Sequence, residues 1–344
     1  MKVLLKRLLM LAAMVSMVCV MSCSDDPEQP VTLSANGFFI VNEGGYPNEN
    51  ASLSFYDRGN DQVINDVFFL ANNRKLGIQA QSMTVHDGKG YIVVQASGKV
   101  EVIDVVHGNS IATITEGLES PRYVLIVSPT KAYVSDWGLD GLTGTVKVLN
   151  LTTNTITASI PTGKGANRMV LMGGNVYVTN SGGYDKDNTV SIIDPSTDEV
   201  EGTIEVGDNP NSIVEDAAGN LWVTSGGAIA YNEDWSIDEA NSTKGSISKI
   251  VGDDEVLRLE VDAVTYSGPS SLCISSGGST LYYKYNGGLY SMTASATQLP
   301  AEPFVSSTYY GLSVDPVTGN VLGLEAPNYS SAGNMVMIDA EGNE

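Results

Sequence analysis

Tyr177-Val178-Thr179-Asn180, a loop over 181–188, Val190-Ser191-Ile192-Ile193-Asp194, the turn Asp194-Pro195-Ser196-Thr197-Asp198 and a third alternating stretch from Glu199 to Val206 decide the fold. β-Branched and aromatic residues fill the stretches, where a pleated, half-buried backbone suits them. Gly, Asn, Asp and Pro stand between them, where tight turns need positive φ or a fixed one. The chain then passes the corner Val206-Gly207-Asp208-Asn209-Pro210 and enters a fourth short run, Ser212-Ile213-Val214-Glu215-Asp216. Four short strands thus occupy a unit of about 45 residues.

The same unit recurs on both sides. Aromatic-led strands are Phe39-Ile40-Val41-Asn42, Tyr91-Ile92-Val93-Val94, Tyr133-Val134-Ser135-Asp136, Trp222-Val223-Thr224-Ser225 and Tyr282-Tyr283-Lys284-Tyr285, with a degenerate Val321-Leu322-Gly323-Leu324. Their followers are 53–57, 100–104, 146–150, 247–251, 289–293 and 335–339, several of which end in Asp. Seven such units with no helical period predict an all-β fold: a seven-bladed β-propeller of four-stranded antiparallel blades. A β-sandwich leaves the long period unexplained, and a β-helix has a shorter one. The last unit stops at Asp339-Ala340-Glu341-Gly342-Asn343-Glu344, and the first opens at Gly37-Phe38-Phe39 on the second-strand motif. The propeller is therefore expected to lack its last strands at the C-terminus and the innermost strand of its first blade. The repeat puts the shortfall at about 20 residues. Closure is expected to be poor, with an exposed strand edge.

Composition narrows the class. Among 344 residues, 40 acids face 18 bases, for a net charge of −22, which excludes nucleic acid as a partner because phosphate binding needs clustered Lys and Arg. Charged residues make up 17%, against roughly 25% in ordinary globular proteins. Hydrophobic residues at 42%, in short strand-like runs, argue against disorder. Two histidines, His86 and His107, are too few for a histidine metal centre.

Lys2, Lys6 and Arg7 precede an apolar run from Leu8 to Met21, so residues 1–22 read as a signal peptide. Ser22-Cys23 after that run resembles the bacterial lipoprotein signal, which implies acylation of Cys23 and a lipid anchor in the membrane. The acids in Ser24-Asp25-Asp26-Pro27-Glu28 resemble the export signal of Bacteroidetes surface lipoproteins. Residues 23–36 then form a lipidated flexible tether, and 37–344 a single propeller domain. Taking the leader's three bases from 18 leaves 15 against 40 acids, or −25. Cys273 is then the one cysteine without lipid or leader, so no internal disulfide is expected.

Loops after the aromatic-led strands and the corners between blades share one face of such a ring. Those loops carry Tyr46, Trp137, Tyr184, Tyr231, Trp235, Tyr285 and Tyr329, in six of seven blades; the corners carry Gln79, Gln81, Arg122, Asn167, Arg168, Asn209, Asn211, Tyr266, Tyr309 and Tyr310. Aromatics give contact area at low entropic cost, and amides and Arg fix orientation, so this mouth suits a large amphipathic ligand. The expected contacts are Tyr46, Trp137, Tyr184, Trp235, Tyr285, Tyr329, Arg122, Arg168, Gln79, Asn209 and Tyr309. Asp185-Lys186-Asp187-Asn188 offers hard oxygens but lacks the spacing and distal Glu of a calcium loop, so no metal is expected. Gly163-Lys164-Gly165-Ala166-Asn167 lacks the Ser or Thr and the helix of a phosphate loop, and there is no serine-nucleophile motif. No catalytic residue and no cofactor are assigned.

Tyr177-Val178-Thr179-Asn180 is the signature of the YVTN-type, YncE-like propeller repeat, and the resemblance covers about residues 37–344. Among lipid-anchored Bacteroidetes propellers of this kind, the chain resembles the BtuG type through its lipid Cys and acids, Asn42-Glu43-Gly44, its seven blades and its aromatic mouth. That resemblance implies a surface protein of the outer membrane that binds vitamin B12 or related corrinoids and passes them to a TonB-dependent transporter of the BtuB type. The mechanism is then binding, not catalysis. A glycan- or protein-binding surface propeller is the alternative. A lactonase-like or lyase propeller fits less well, since it needs an axial metal or a His/Glu/Asp set, and His86 and His107 fall on the face opposite the mouth.

Overall fold

The computed structural model describes residues 32–328 and 332–344. Cys23 and Tyr329 lie outside the described residues. Seven antiparallel sheets follow one another along the chain. Blade 1 holds β1 (Gly37–Asn42), β2 (Ser52–Asp57) and β3 (Gln62–Ile64). Blade 2 holds β4 (Ala80–His86), β5 (Lys89–Val94), β6 (Lys99–Asp104) and β7 (Ser110–Ile114). Blade 3 runs through β8 (Pro121–Ser128), β9 (Lys131–Asp136), β10 (Thr145–Asn150) and β11 (Thr155–Pro161). Blade 4 runs through β12 (Ala166–Met172), β13 (Asn175–Asn180), β14 (Thr189–Asp194) and β15 (Glu199–Glu205). Blade 5 comprises β16 (Pro210–Glu215), β17 (Leu221–Ser225), β18 (Ser246–Val251) and β19 (Asp254–Glu260). Blade 6 has β20 (Ser270–Ile274), β21 (Thr280–Tyr285) and β22 (Gly288–Thr293), and blade 7 has β23 (Gly311–Val314), β24 (Val321–Glu325) and β25 (Asn334–Ile338).

The chain is a seven-bladed propeller. Four strands per blade hold in blades 2 to 5 only; blades 1, 6 and 7 have three. In blade 6 the outer position is reduced to a single bridge, Leu289 to Val305, closed by a reciprocal pair of backbone hydrogen bonds of 2.9 and 3.0 Å. Pro300 and Pro303, which cannot donate to a ladder, precede Val305 and stop that strand from forming. Blade 1 starts at its second-strand position: among the described residues β1 pairs with β2 alone. One feature escaped the sequence pattern. A short helix, α1 (Val67–Asn72), links blades 1 and 2 and buries Val67 and Phe68.

Six hydrophobic clusters hold the ring, one at each junction from blade 1 against 2 to blade 6 against 7. Second strands are buried on both faces: β9, β13 and β17 are continuous runs such as Tyr177 to Asn180. Each fully buried Val, Leu or Ile contributes roughly 1.5–3 kcal/mol. Outer strands β15 and β19 alternate toward solvent. The Asp that ends so many third strands has a local task. Asp57, Asp104, Asp194 and Asp339 accept the amide two residues on, at Gly59, Val106, Ser196 and Glu341, and so set the next turn. The junction of blade 7 with blade 1 has no such hydrophobic cluster among the described residues. The side-chain links Arg58 to Asp315 and Tyr310 to Glu43 span it.

A candidate ligand-binding mouth

One backbone device shapes the mouth. Five inner strands carry a one-residue bulge directly after their first residue, between Ala80 and Ser82, Pro121 and Val124, Ala166 and Met169, Pro210 and Ser212, and Ser270 and Cys273. The sixth, β23, has none. A bulge bends its strand and re-aims side chains. Here it frees Gln81, Arg122, Tyr123, Asn167, Arg168, Asn211 and Ser271 from the ladder at one end of the ring.

Several of these side chains join blade to blade. Gln81 Nε2 donates to Tyr123 Oη at 3.1 Å, and the Arg168 guanidinium lies 4.0 Å from the Tyr123 ring centroid. Asn167 Nδ2 donates to the Asn211 carbonyl at 3.4 Å, and Asn211 Nδ2 to the Pro269 carbonyl at 2.9 Å. Lys284 Nζ donates to the Tyr310 carbonyl at 2.5 Å, Tyr310 Oη to Glu43, and Gln79 Nε2 to Glu43 at 3.3 Å. The result is a polar girdle that touches all seven blades.

Above it opens a cavity of about 560 Å³, lined by Trp137, Tyr266, Tyr285 and Tyr309, by the amides of Asn167, Asn209, Asn211 and Asn286, and by Lys284. Glycines 226, 227, 268, 287 and 288 complete its wall. The backbones there touch: a Cβ on Gly268 would stand 2.1 Å from the Gly226 carbonyl oxygen. Second-strand loops and inter-blade corners thus meet at one opening.

Of the residues expected at the mouth, Trp137, Asn209, Tyr285 and Tyr309 line this cavity. Arg122 sits just behind Trp137. It is buried, its guanidinium carbon is 3.3 Å from the Trp137 ring centroid, and its Nη1 donates to Gln81 and Gln95, each at 3.1 Å. Burial pushes the Arg122 guanidinium down to about 10. Arg168 lies elsewhere, in a second cavity of about 470 Å³ bounded by β1, β23 and the inner strands. Gln79 serves the girdle through Glu43. Tyr309 donates its hydroxyl to Glu344 at 2.5 Å.

The other three aromatics do not line the cavity: Tyr46, Tyr184 and Trp235 are 72%, 75% and 80% exposed. Tyr184 meets Trp137 edge-on at 6.1 Å. Trp235 packs on Tyr231 at 6.2 Å, which stacks on Tyr266 at 6.4 Å, so an aromatic track runs from the rim into the cavity.

Lys284 is the charged lining residue that sequence reasoning missed. The aromatic-led alignment equates Tyr282 with Tyr177, but pairing says otherwise. Ser270 opposes Lys284 as Ala166 opposes Asn180, which puts Leu281 at the Tyr177 position. Three tyrosines in five residues hid the one-residue offset.

The remaining chemistry is sparse. The Asp185–Asn188 loop spends its carboxylates internally: Asp185 pairs with Lys164 Nζ, and Asp187 accepts the Lys164 amide at 2.8 Å and the Thr189 amide at 2.9 Å. Among the described residues no three His, Cys, Asp or Glu side chains form a metal-sized cluster. His107 is tied to Asp104 at 2.6 Å on the face away from the mouth. Cys273, a free thiol on β20, packs in the cluster of blades 6 and 7, and burial pushes it up to about 12, so it is protonated at neutral pH.

The family described as "Domain of unknown function (DUF5074)" matches residues 36–340. This chain belongs to that family. No curated protein matches the DUF5074 chain in sequence. Solved structures similar to it include the hydrazine synthase of Kuenenia stuttgartiensis, with a TM-score of 0.66 at 17% identity over 92% of this chain and 98% of that one. A quinonprotein alcohol dehydrogenase-like protein of Bacteroides thetaiotaomicron gives 0.64 at 14% identity, over 89% of this chain and 73% of its own. Virginiamycin B lyase of Staphylococcus aureus gives 0.57 at 13%, over 78% and 83%. At such identities the likeness shows the propeller fold alone.

Proposed function

We propose that the mouth captures a large amphipathic ligand, of which vitamin B12 or a related corrinoid is the first to test, and that the protein is a binder rather than an enzyme. The observation that carries this reading is the 560 Å³ cavity, where tyrosines and Trp137 alternate with four asparagine amides. Aromatic faces suit a broad ring, and the amides are natural partners for a rim of amide side chains. The leader over residues 1–22, followed directly by Cys23, supports a lipid-anchored protein at the surface of the outer membrane. From there a bound ligand would pass to a TonB-dependent transporter of the BtuB type.

Titration calorimetry with cyanocobalamin tests the ligand. A saturable heat and a red protein peak on gel filtration are expected; neither heat nor co-elution would sink the idea. A second reading rests on the exposed track Trp235–Tyr231–Tyr266, which also suits a sugar face. A glycan-array signal in a protein that ignores corrinoids would favour it.

A further inference from the structure

Lys284 departs from a rule that the other blades keep. Opposite the first residue of the inner strand stand Val94, Asp136, Asn180 and Ser225 in blades 2 to 5, and Lys284 in blade 6. Where that residue is polar and hydrogen-bonded, its bonds stay within its own neighbourhood. Asp136 accepts the amides of Glu119, Ser120 and Gly138, at 2.9, 3.0 and 2.8 Å. Asn180 Nδ2 donates to Thr189 and Ser191 hydroxyls at 2.8 and 2.9 Å. Lys284 instead leaves its blade, donates one hydrogen bond to the Tyr310 carbonyl, and lines the cavity.

No acid accompanies it. The cavity wall contains neither Asp nor Glu, in a chain whose net charge is −22. Burial lowers the Lys284 pKa, and no carboxylate nearby offsets the effect. Lys284 is half-buried, and a cation partly withdrawn from water is ordinarily paired, because desolvating a charge without a partner is costly. An ammonium has three donors, and one carbonyl satisfies one of them. Ser267, Ser270 and Asn286 stand on the same wall as further donors.

We propose that Lys284 receives an anionic group of the ligand, a carboxylate, phosphate or sulfate, so that the mouth takes ring-bearing organic anions. The inference rests on reading this cavity as the ligand site, and it specifies the ligand's chemistry: a ring against Tyr266, Tyr285 and Trp137, and a negative charge at the Lys284 end.

A matched pair of probes tests it apart from any corrinoid. Calorimetry compares naphthalene-2-sulfonate with the neutral naphthalene-2-sulfonamide. The sulfonate is expected to bind about tenfold more tightly, since charge-assisted hydrogen bonds are the stronger ones. Lys284→Gln abolishes that preference, Lys284→Arg retains it, and added salt weakens it. Equal affinity for the two probes, no saturable sulfonate binding, or an unchanged preference in Lys284→Gln would overturn the proposal. A corrinoid arm separates the two readings. Cyanocobalamin carries a phosphodiester and dicyanocobinamide does not, so Lys284→Gln is expected to weaken the first more than the second. Failure of both corrinoids with a Lys284-dependent sulfonate preference would sink the corrinoid reading and leave the anion site standing.

Discussion

The guanidinium of Arg122 lies over the ring of Trp137, 3.3 Å from guanidinium carbon to ring centroid. A buried arginine on an inner strand thereby holds an aromatic that faces the mouth. Arg122→Ala removes the plane beneath Trp137 and strips Gln81 and Gln95 of a shared donor. It is expected to cost about 2–4 kcal/mol in chemical denaturation, with altered Trp fluorescence in the folded state. Arg122→Lys should recover little, because an ammonium cannot stack as the planar group does. A variant as stable as the parent would show that the stack is incidental.

Asp315 gives the junction of blades 7 and 1 a dependence on acid. Burial by itself would raise its pKa, but Arg58, the Val317 amide and the Thr318 hydroxyl outweigh burial and hold it at about 2. An unfolded Asp titrates near about 3.9. The folded pKa is depressed, so the stabilisation is complete above about pH 4 and is lost as pH falls from there toward 2. Melting temperatures of the parent and Asp315→Asn are expected to differ most above pH 4 and to converge near pH 2. A constant gap over that range would contradict the assignment.

Gly268 is needed for lack of a side chain. Its added Cβ would meet the Gly226 carbonyl oxygen at 2.1 Å, backbone against backbone. Gly268→Ala is expected to push these two wall segments apart, costing about 1–3 kcal/mol and weakening any mouth ligand. Gly45, with open space around it, is the control: Gly45→Ala should change stability by no more than about 0.5 kcal/mol. Thermal melts of the two variants side by side decide the matter.

Much of this ring is legible in the chain because each blade repeats one physical pattern. Tyr91, Tyr133, Tyr177 and Trp222 all lead the buried stretch of a second strand, and Asp104 and Asp194 each end a strand and set a turn. What escaped lacks such a marker. Six residues of α1 are too few to display a helical period. The blade 6 register was hidden by tyrosines on adjacent positions, and with it Lys284. At the mouth, residue type located the correct loops, but their paths decide which side chains face inward. Hence Trp137 and Tyr285 line the cavity, whereas Tyr184 and Trp235 stand on its rim and Tyr46 points to solvent away from it. The lining is largely Asn, Ser, Thr and Gly, which in sequence are indistinguishable from turn residues.

The junction between blades 7 and 1 has one more consequence. Apolar packing is continuous from blade 1 round to blade 7, while that last junction relies on Arg58–Asp315 and Tyr310–Glu43. The cavity draws its walls from blades 3 to 7 and none from blades 1 and 2. Breathing of the ring therefore concentrates at a place the ligand does not clamp. A molecule bound in the mouth would slow amide exchange most around the cavity, and would reach the β1 edge only through the single thread of Lys284, Tyr310 and Glu43.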